Sequence, residues 1–225
     1  MTAKLDEHDT GLRGALTRAI AKLGYAPDEN RLASDSGMTV EEVRTRLRRL
    51  ADAHALLLHP GSTRPWAVHP FALGPASCWV QTAAKGYWAN CLYCGLGIAA
   101  ALKCDAAITT RFGGEEESVR YEIRNDMVAP ADHYFHLSTP PARWWDNVIF
   151  ACSTFQPFRA QRDIDAWCTA HDLPRGGVMT MPQLWEFAKD WYGDYIDRPW
   201  HKRTAEEVRK LFERHGLVGP FWDID

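Results

Sequence analysis

The chain has little charge imbalance. Its 26 lysines and arginines stand against 29 aspartates and glutamates, for a formal net charge of −3 over 225 residues. Nothing in that balance draws it to nucleic acid or to an anionic membrane. The opening Met1-Thr-Ala-Lys-Leu-Asp-Glu-His-Asp-Thr10 lacks an apolar core, so no export signal is visible and a reducing cytoplasm is expected. The longest uncharged run, Gly86 to Leu102, contains Asn90 and three glycines and reads as a buried helix instead of a membrane span. Internal repeats and low-complexity tracts are missing as well. In a reducing compartment six cysteines are ligands, nucleophiles or core residues, not a disulfide framework. What remains is an ordinary globular composition, 46% hydrophobic and 24% charged, long enough for one large domain or two small ones.

Residues 1–74 read as a winged-helix-like module. Leu12, Leu16, Ile20 and Leu23 recur at helical spacing up to Gly24, and Arg31 to Ser36 forms a short second helix closed by Gly37. Thr39-Val-Glu-Glu42 is a capping box opening a third helix with Val40, Val43, Leu47 and Leu50 on its buried face. Ala55 to His59 and Trp66 to Phe71 then read as two strands around Pro60-Gly-Ser-Thr-Arg-Pro65. The third helix carries Arg44, Arg46, Arg48 and Arg49, which suits a DNA-reading helix. The wing offers only Arg64, so a solvated face fits better and no specific nucleic-acid partner is expected.

Residues 75–225 read as a catalytic α+β domain, a mainly antiparallel sheet flanked by helices. Strands are expected at Cys78–Thr82, Ala106–Phe112, Val119–Arg124, His133–Ser138, Val148–Thr154 and Val178–Met181. Helices are expected at Trp88–Leu102, Asp163–His171 and Pro182–Trp191. Thr204-Ala-Glu-Glu207 caps a last helix that runs to a stop at Gly216. Trp185, Trp191, Trp200 and Trp222 crowd this tail, which packs on the core or forms an aromatic cage for a cation.

Cysteine placement carries the chemistry. Cys91 and Cys94 share one face of the expected helix at spacing i, i+3. Cys152 lies in Asn147-Val-Ile-Phe-Ala-Cys-Ser153, equally apolar and free of charge. A zinc site would want four ligands, usually two such cysteine pairs. His133 and His136 do not complete it, because spacing three on a strand puts them on opposite faces. A dithiol redox centre would set the first cysteine at a helix N-terminus after a strand, in a βαβ setting. Cys78, Cys104 and Cys168 have no companion and read as core thiols.

The sequence resembles the organomercurial (alkylmercury) lyase family. The residues that carry the resemblance are Cys91 in its hydrophobic helix shortly after Tyr87, Cys152 in its apolar segment, and Asp165-Ala-Trp-Cys-Thr-Ala-His171 with Trp167. The likeness runs along most of the chain and includes the N-terminal module. It implies protonolysis of a carbon–mercury bond, giving a hydrocarbon and thiolate-bound Hg(II). It also implies no organic cofactor, a small organometallic substrate, and low-molecular-weight thiols that accept the product ion. In that family two cysteines and an aspartate three residues after the first carry the reaction. Cys91 and Cys152 match the cysteines, but Cys94 stands at the aspartate position. A thiol with its ordinary pKa of about 8.5 is mostly protonated at neutral pH, so Cys94 is expected to be proton donor or third ligand. Two other readings remain open: a metal-binding or metal-sensing protein with Cys91, Cys94 and Cys152 as a three-thiolate site, and a related lyase acting on another small substrate.

Overall fold

A computed structural model describes residues 4–224; the first three residues of the polar opening and the last residue of the chain lie outside them. The three N-terminal helices are α1 (Glu7–Leu23), α2 (Glu29–Ser36) and α3 (Val40–Asp52). Each begins on a side-chain cap: Asp6, Asp28 and Thr39, the first and last in reciprocal capping boxes. The α1 helix ends at Gly24 with φ 85° and α2 at Gly37 with φ 67°, left-handed positions that glycine occupies without penalty. Short strands β1 (Leu57–Leu58), β2 (Pro65–Val68) and β3 (Phe71–Ala72) follow. The strand expected at Trp66–Phe71 is broken at His69–Pro70, since proline has no N–H for the ladder.

The wing strands do not form a separate sheet. They run into β5 (Gly86–Ala89), β4 (Cys78–Thr82), β6 (Ala106–Arg111), β7 (Ser118–Arg124) and β8 (Met127–Ala129), in the order β1-β2-β3-β5-β4-β6-β7-β8. A second, three-stranded sheet has β9 (Tyr134–Leu137) between β10 (Phe155–Phe158) and β11 (Gly177–Thr180). Every pairing is antiparallel, and with the helices this makes an α+β fold.

The central helix α4 (Leu92–Leu102) connects β5 to β6 and crosses over β4, the strand between them. It starts four residues later than the periodicity predicts. Gly86 to Ala89 instead pairs with β4, setting Trp88 opposite Trp79, because aromatic residues pack well across a pleated pair. From Leu92 to Ala101 every residue of α4 is buried. Its small residues permit this. A Cβ at Gly95 would come within 2.8 Å of Cys78 Sγ on β4, and one at Gly97 would collide with the Tyr192 ring. Thus α4 is held between the sheet and α7 (Met181–Tyr192).

The segment expected as a strand at Val148–Thr154 is the short helix α5 (Val148–Ser153). Asn147 caps it, its side-chain oxygen accepting from the Phe150 N–H at 3.0 Å. The strand starts only at Phe155. The α6 helix (Gln161–Ala170) covers β10, and α8 (Ala205–Arg214) closes the tail.

Candidate active site

Cys91 is the N-cap of α4, in extended conformation (φ −154°, ψ 174°), immediately after β5 and Asn90. Its carbonyl accepts from the Gly95 N–H at 2.9 Å and so opens the helix. The positive end of an eleven-residue helix dipole therefore stands at the Cys91 thiol. Cys94 follows one turn later, and α5, which like α4 packs on β10, supplies Cys152. Ligating atoms of Cys94, Cys152 and His69 all lie within 4.8 Å of one another. The Cys91 thiol interacts with both Cys94 and Cys152. All three thiols are buried. Among the described residues the group able to share an ion is therefore His69, Cys94 and Cys152, and Cys91 lies beside it in contact with both thiols.

Their protonation states are unequal. Burial works against a Cys91 thiolate, but the Cys152 and Cys94 thiols donating to it, together with the Cys94 amide N–H, pull its pKa well below the ordinary thiol value. The converse holds for its partners. Cys94 is pushed well above the ordinary value by its bonds to Cys152 and Cys91 and by burial. Cys152 is pushed up by its bond to Cys91 and by burial. Of the three, Cys91 is the one whose surroundings favour a thiolate, and Cys94 and Cys152 are the ones whose surroundings favour the thiol.

His69 lies in the turn between β2 and β3, and sequence reasoning missed it, since nothing local marks residue 69 as a partner of residue 152. Its Nε2 is 4.0 Å from Cys152 Sγ, and burial lowers its pKa to about 4, so the ring is neutral. The other cysteines are elsewhere. Cys78 packs under Gly95, Cys104 is half-buried, and Cys168 Sγ sits 3.7 Å from His136 Nε2. His133 meets the Tyr121 hydroxyl at 3.1 Å, and neither it nor His136 belongs to the group formed by His69, Cys94 and Cys152.

Cys94 and Cys152 open onto a cavity of about 610 Å³, a volume suited to a small organic ligand. Its walls are aromatic: Tyr93, Trp144, Trp145, Trp191, Tyr192 and Trp200. Trp191 and Trp200 thus belong to the site, whereas Trp185 donates to the Asp126 carbonyl, away from it. The cations over these rings are the protein's own, Arg13 over Trp200 and Arg203 over Trp191.

Two thiols thus face an aromatic cavity, with a third beside them whose pKa is lowered. The family model for alkylmercury lyase, MerB, matches residues 71–193, more than half of the chain. This protein belongs to the alkylmercury lyase family. Among solved structures it is similar to the mercury-bound form of MerB2, with a TM-score of 0.70 and 18% sequence identity, covering 86% of this chain and 94% of that one. At that identity the likeness is one of fold. No curated protein matches the sequence. Within the family match lie Cys91, Cys94 and Cys152, while His69 falls two residues before it.

The βαβ setting asked of a dithiol redox centre is also present, with Cys91 at the helix start. Cys94 and Cys152 line the cavity, and Cys91, which bonds both of them, does not.

Proposed function

We propose that this protein cleaves the carbon–mercury bond of a small organomercurial by protonolysis, with Cys91 and Cys152 as mercury ligands and Cys94 as proton donor. The observation that carries this reading is the cluster of three buried thiols beside the aromatic cavity, with Cys94 and Cys152 in its wall. A soft metal takes soft thiolates. An organomercurial thiolate, R–Hg–SR′, enters along the aromatic walls. The Cys91 thiolate and the Cys152 sulfur bind mercury, and the displaced thiolate leaves as R′SH with the Cys152 proton. Two thiolates on mercury raise the electron density at the bound carbon. The Cys94 thiol then gives its proton to that carbon, releasing R–H and leaving mercury on three thiolates as a monoanion. Two external thiols carry the ion away as Hg(SR′)2, restoring one thiolate and two thiols. No organic cofactor enters this sequence.

Cys94 suits the donor's role because the same bonds that ionise Cys91 keep Cys94 protonated. Low-molecular-weight thiols as acceptors, and the reducing cytoplasm that supplies them, are part of the proposal. Among the described residues no helix is long and apolar enough to cross a membrane. The test is benzene or methane release from phenylmercury or methylmercury with an external thiol present. Stoichiometric hydrocarbon supports the reading, and tight binding without hydrocarbon would leave a thiolate metal-binding protein instead.

A further inference from the structure

The wall of the same cavity holds a charge that no carboxylate among the described residues balances. Arg13, on α1, is 2% exposed and lines the cavity. Its Nε donates to the Ala55 carbonyl at 3.1 Å, Nη1 to Thr17 Oγ1 at 3.1 Å and Nη2 to the His69 carbonyl at 3.0 Å. All three acceptors are neutral. A guanidinium has five N–H donors, so one on each Nη is left over. Among the described residues no carboxylate pairs with Arg13, and its only other partners are the faces of Trp200 at 4.1 Å and Tyr195 at 5.2 Å. Burying a cation without a counter-charge is costly, and neutral acceptors satisfy its N–H groups without offsetting that charge.

The surroundings repeat the pattern. Arg13, Lys202 and Arg203 line the cavity, and among the described residues no aspartate or glutamate does. Lys202 is spent on the Ala53 carbonyl and Arg203 on carbonyls of Asp190 and Trp191. Tyr93 Oη and Trp200 Nε1, on two lining side chains at least nine-tenths buried, have no hydrogen-bond partner among the described residues. An aromatic chamber with thiols and an unpaired guanidinium in its wall suits a ligand that is soft at one point and anionic at another.

We propose that Arg13 is the centre of a carboxylate subsite, and that the organomercurials this protein takes best carry a carboxylate on the organic group. The proposal rests on the lyase reading for its reaction but not for its binding preference. The two free N–H groups, one on each Nη, suit a carboxylate held by paired charge-assisted hydrogen bonds. Positive lining also favours thiolates in the cluster, but that effect is common to every mercurial and cannot distinguish one organic group from another.

The full-length protein is given para-carboxyphenylmercury, its neutral isostere para-carbamoylphenylmercury, and phenylmercury, with mercaptoethanol as the only thiol so that the ring carries the only carboxylate. The kcat/KM for arene release should favour carboxylate over amide by about tenfold or more, as expected for hydrogen bonds to a charged group. In Arg13→Gln that ratio should fall close to one, and in Arg13→Lys it should be reduced but kept. If Arg13→Gln does not fold, the wild-type and Arg13→Lys ratios decide. Equal efficiency for carboxylate and amide in the wild type, or a ratio unchanged by either substitution, overturns the proposal. Equilibrium binding of the same three compounds, read by quenching of the tryptophans around the cavity, separates the two readings. Preferential binding without arene release refutes the lyase and keeps the subsite. Arene release at equal efficiency from all three refutes the subsite and keeps the lyase.

Discussion

His69 Nε2 stands 4.0 Å from Cys152 Sγ, although 83 residues of chain separate them. The contact joins a turn next to the wing strands to α5, so the N-terminal part contributes directly to the thiol cluster. Because burial keeps His69 neutral, it is a hydrogen-bonding neighbour of Cys152 and not a cation that ionises it. The site's charge is instead placed on Cys91 by the two other thiols and the start of α4.

That assignment predicts a thiolate without an imidazolium. Ultraviolet absorbance should report one thiolate per protein at neutral pH, persisting well below the ordinary thiol range. Cys91→Ser should remove the signal, whereas His69→Gln should keep it. A signal lost with His69→Gln would mean that a thiolate–imidazolium pair holds the charge.

Half-buried His69 and buried His136 also set an acid limit on stability. His69 and His136 have pKa values lowered from 6.5 to about 4, in both cases chiefly by burial. The unfolded chain takes up their protons below about pH 6.5 and the folded chain does not. Their contribution is therefore complete above that pH, declines as pH falls, and is gone below about 4, where the folded state protonates too. Each shift corresponds to on the order of 3 kcal/mol. Urea unfolding midpoints should fall across this window, and His69→Gln or His136→Gln should flatten the profile. An unchanged profile in both variants would mean that these rings are hydrated in the folded state.

How legible all this was in the sequence depends on range. The capping boxes at Thr39 and Thr204, and the glycine stop at Gly24, are local and stand where the sequence places them. Cys91 and Cys94 could be paired from i, i+3 spacing, even though the helix starts at Leu92. Its apolar segment marks Cys152 and the resemblance pairs it with Cys91, but the element there is a helix and not the strand expected. A six-residue apolar run fits strand and helix equally, and only the Asn147 cap marks it as helical. His69 and Arg13 were not legible. Each works through residues distant in the chain, and an arginine among α1's polar positions looks solvated until the cavity closes over it.

The close packing of α4 yields a prediction of opposite sign to helix propensity. Glycine to alanine inside a helix ordinarily stabilises by about 1 kcal/mol. At Gly97 the added Cβ would meet the Tyr192 ring, part of the cavity wall. Gly97→Ala should therefore destabilise by about 1–3 kcal/mol through overpacking, and weaken mercurial binding as Tyr192 moves. A stabilised variant in chemical denaturation would show that the ring yields without cost.

For the arginine face of α3, ion pairing decides. Arg44 pairs with Glu29 at 2.7 Å, Arg46 with Asp9 at 2.9 Å, and Arg49 with Asp9 at 2.7 Å. Asp9 is fully buried, so breaking its pairs would strand a buried charge. We expect only weak, salt-sensitive contact with duplex DNA. Enrichment of one sequence from a random pool, bound far above non-specific DNA, would revive the sensor reading.

The sharpest test is at position 94, where the family's aspartate is replaced. If Cys91 and Cys152 hold mercury and Cys94 delivers the proton, the three should fail differently. Cys91→Ser and Cys152→Ser should each abolish tight binding and turnover, because a hydroxyl is a hard donor that cannot stand in for a soft thiolate. Cys94→Ala should still bind the organomercurial through the other two sulfurs, yet release hydrocarbon slower by about 10²–10⁴ in a single turnover, the usual worth of a positioned acid. Its loss should also leave the Cys91 thiolate with one fewer donor, raising that thiol's pKa. Cys94→Asp should keep or raise the rate, since a carboxyl buried in this pocket has its pKa pushed up and can hold and pass a proton. Full single-turnover activity in Cys94→Ala would make Cys94 a bystander and assign protonation to water or to another group of the cavity.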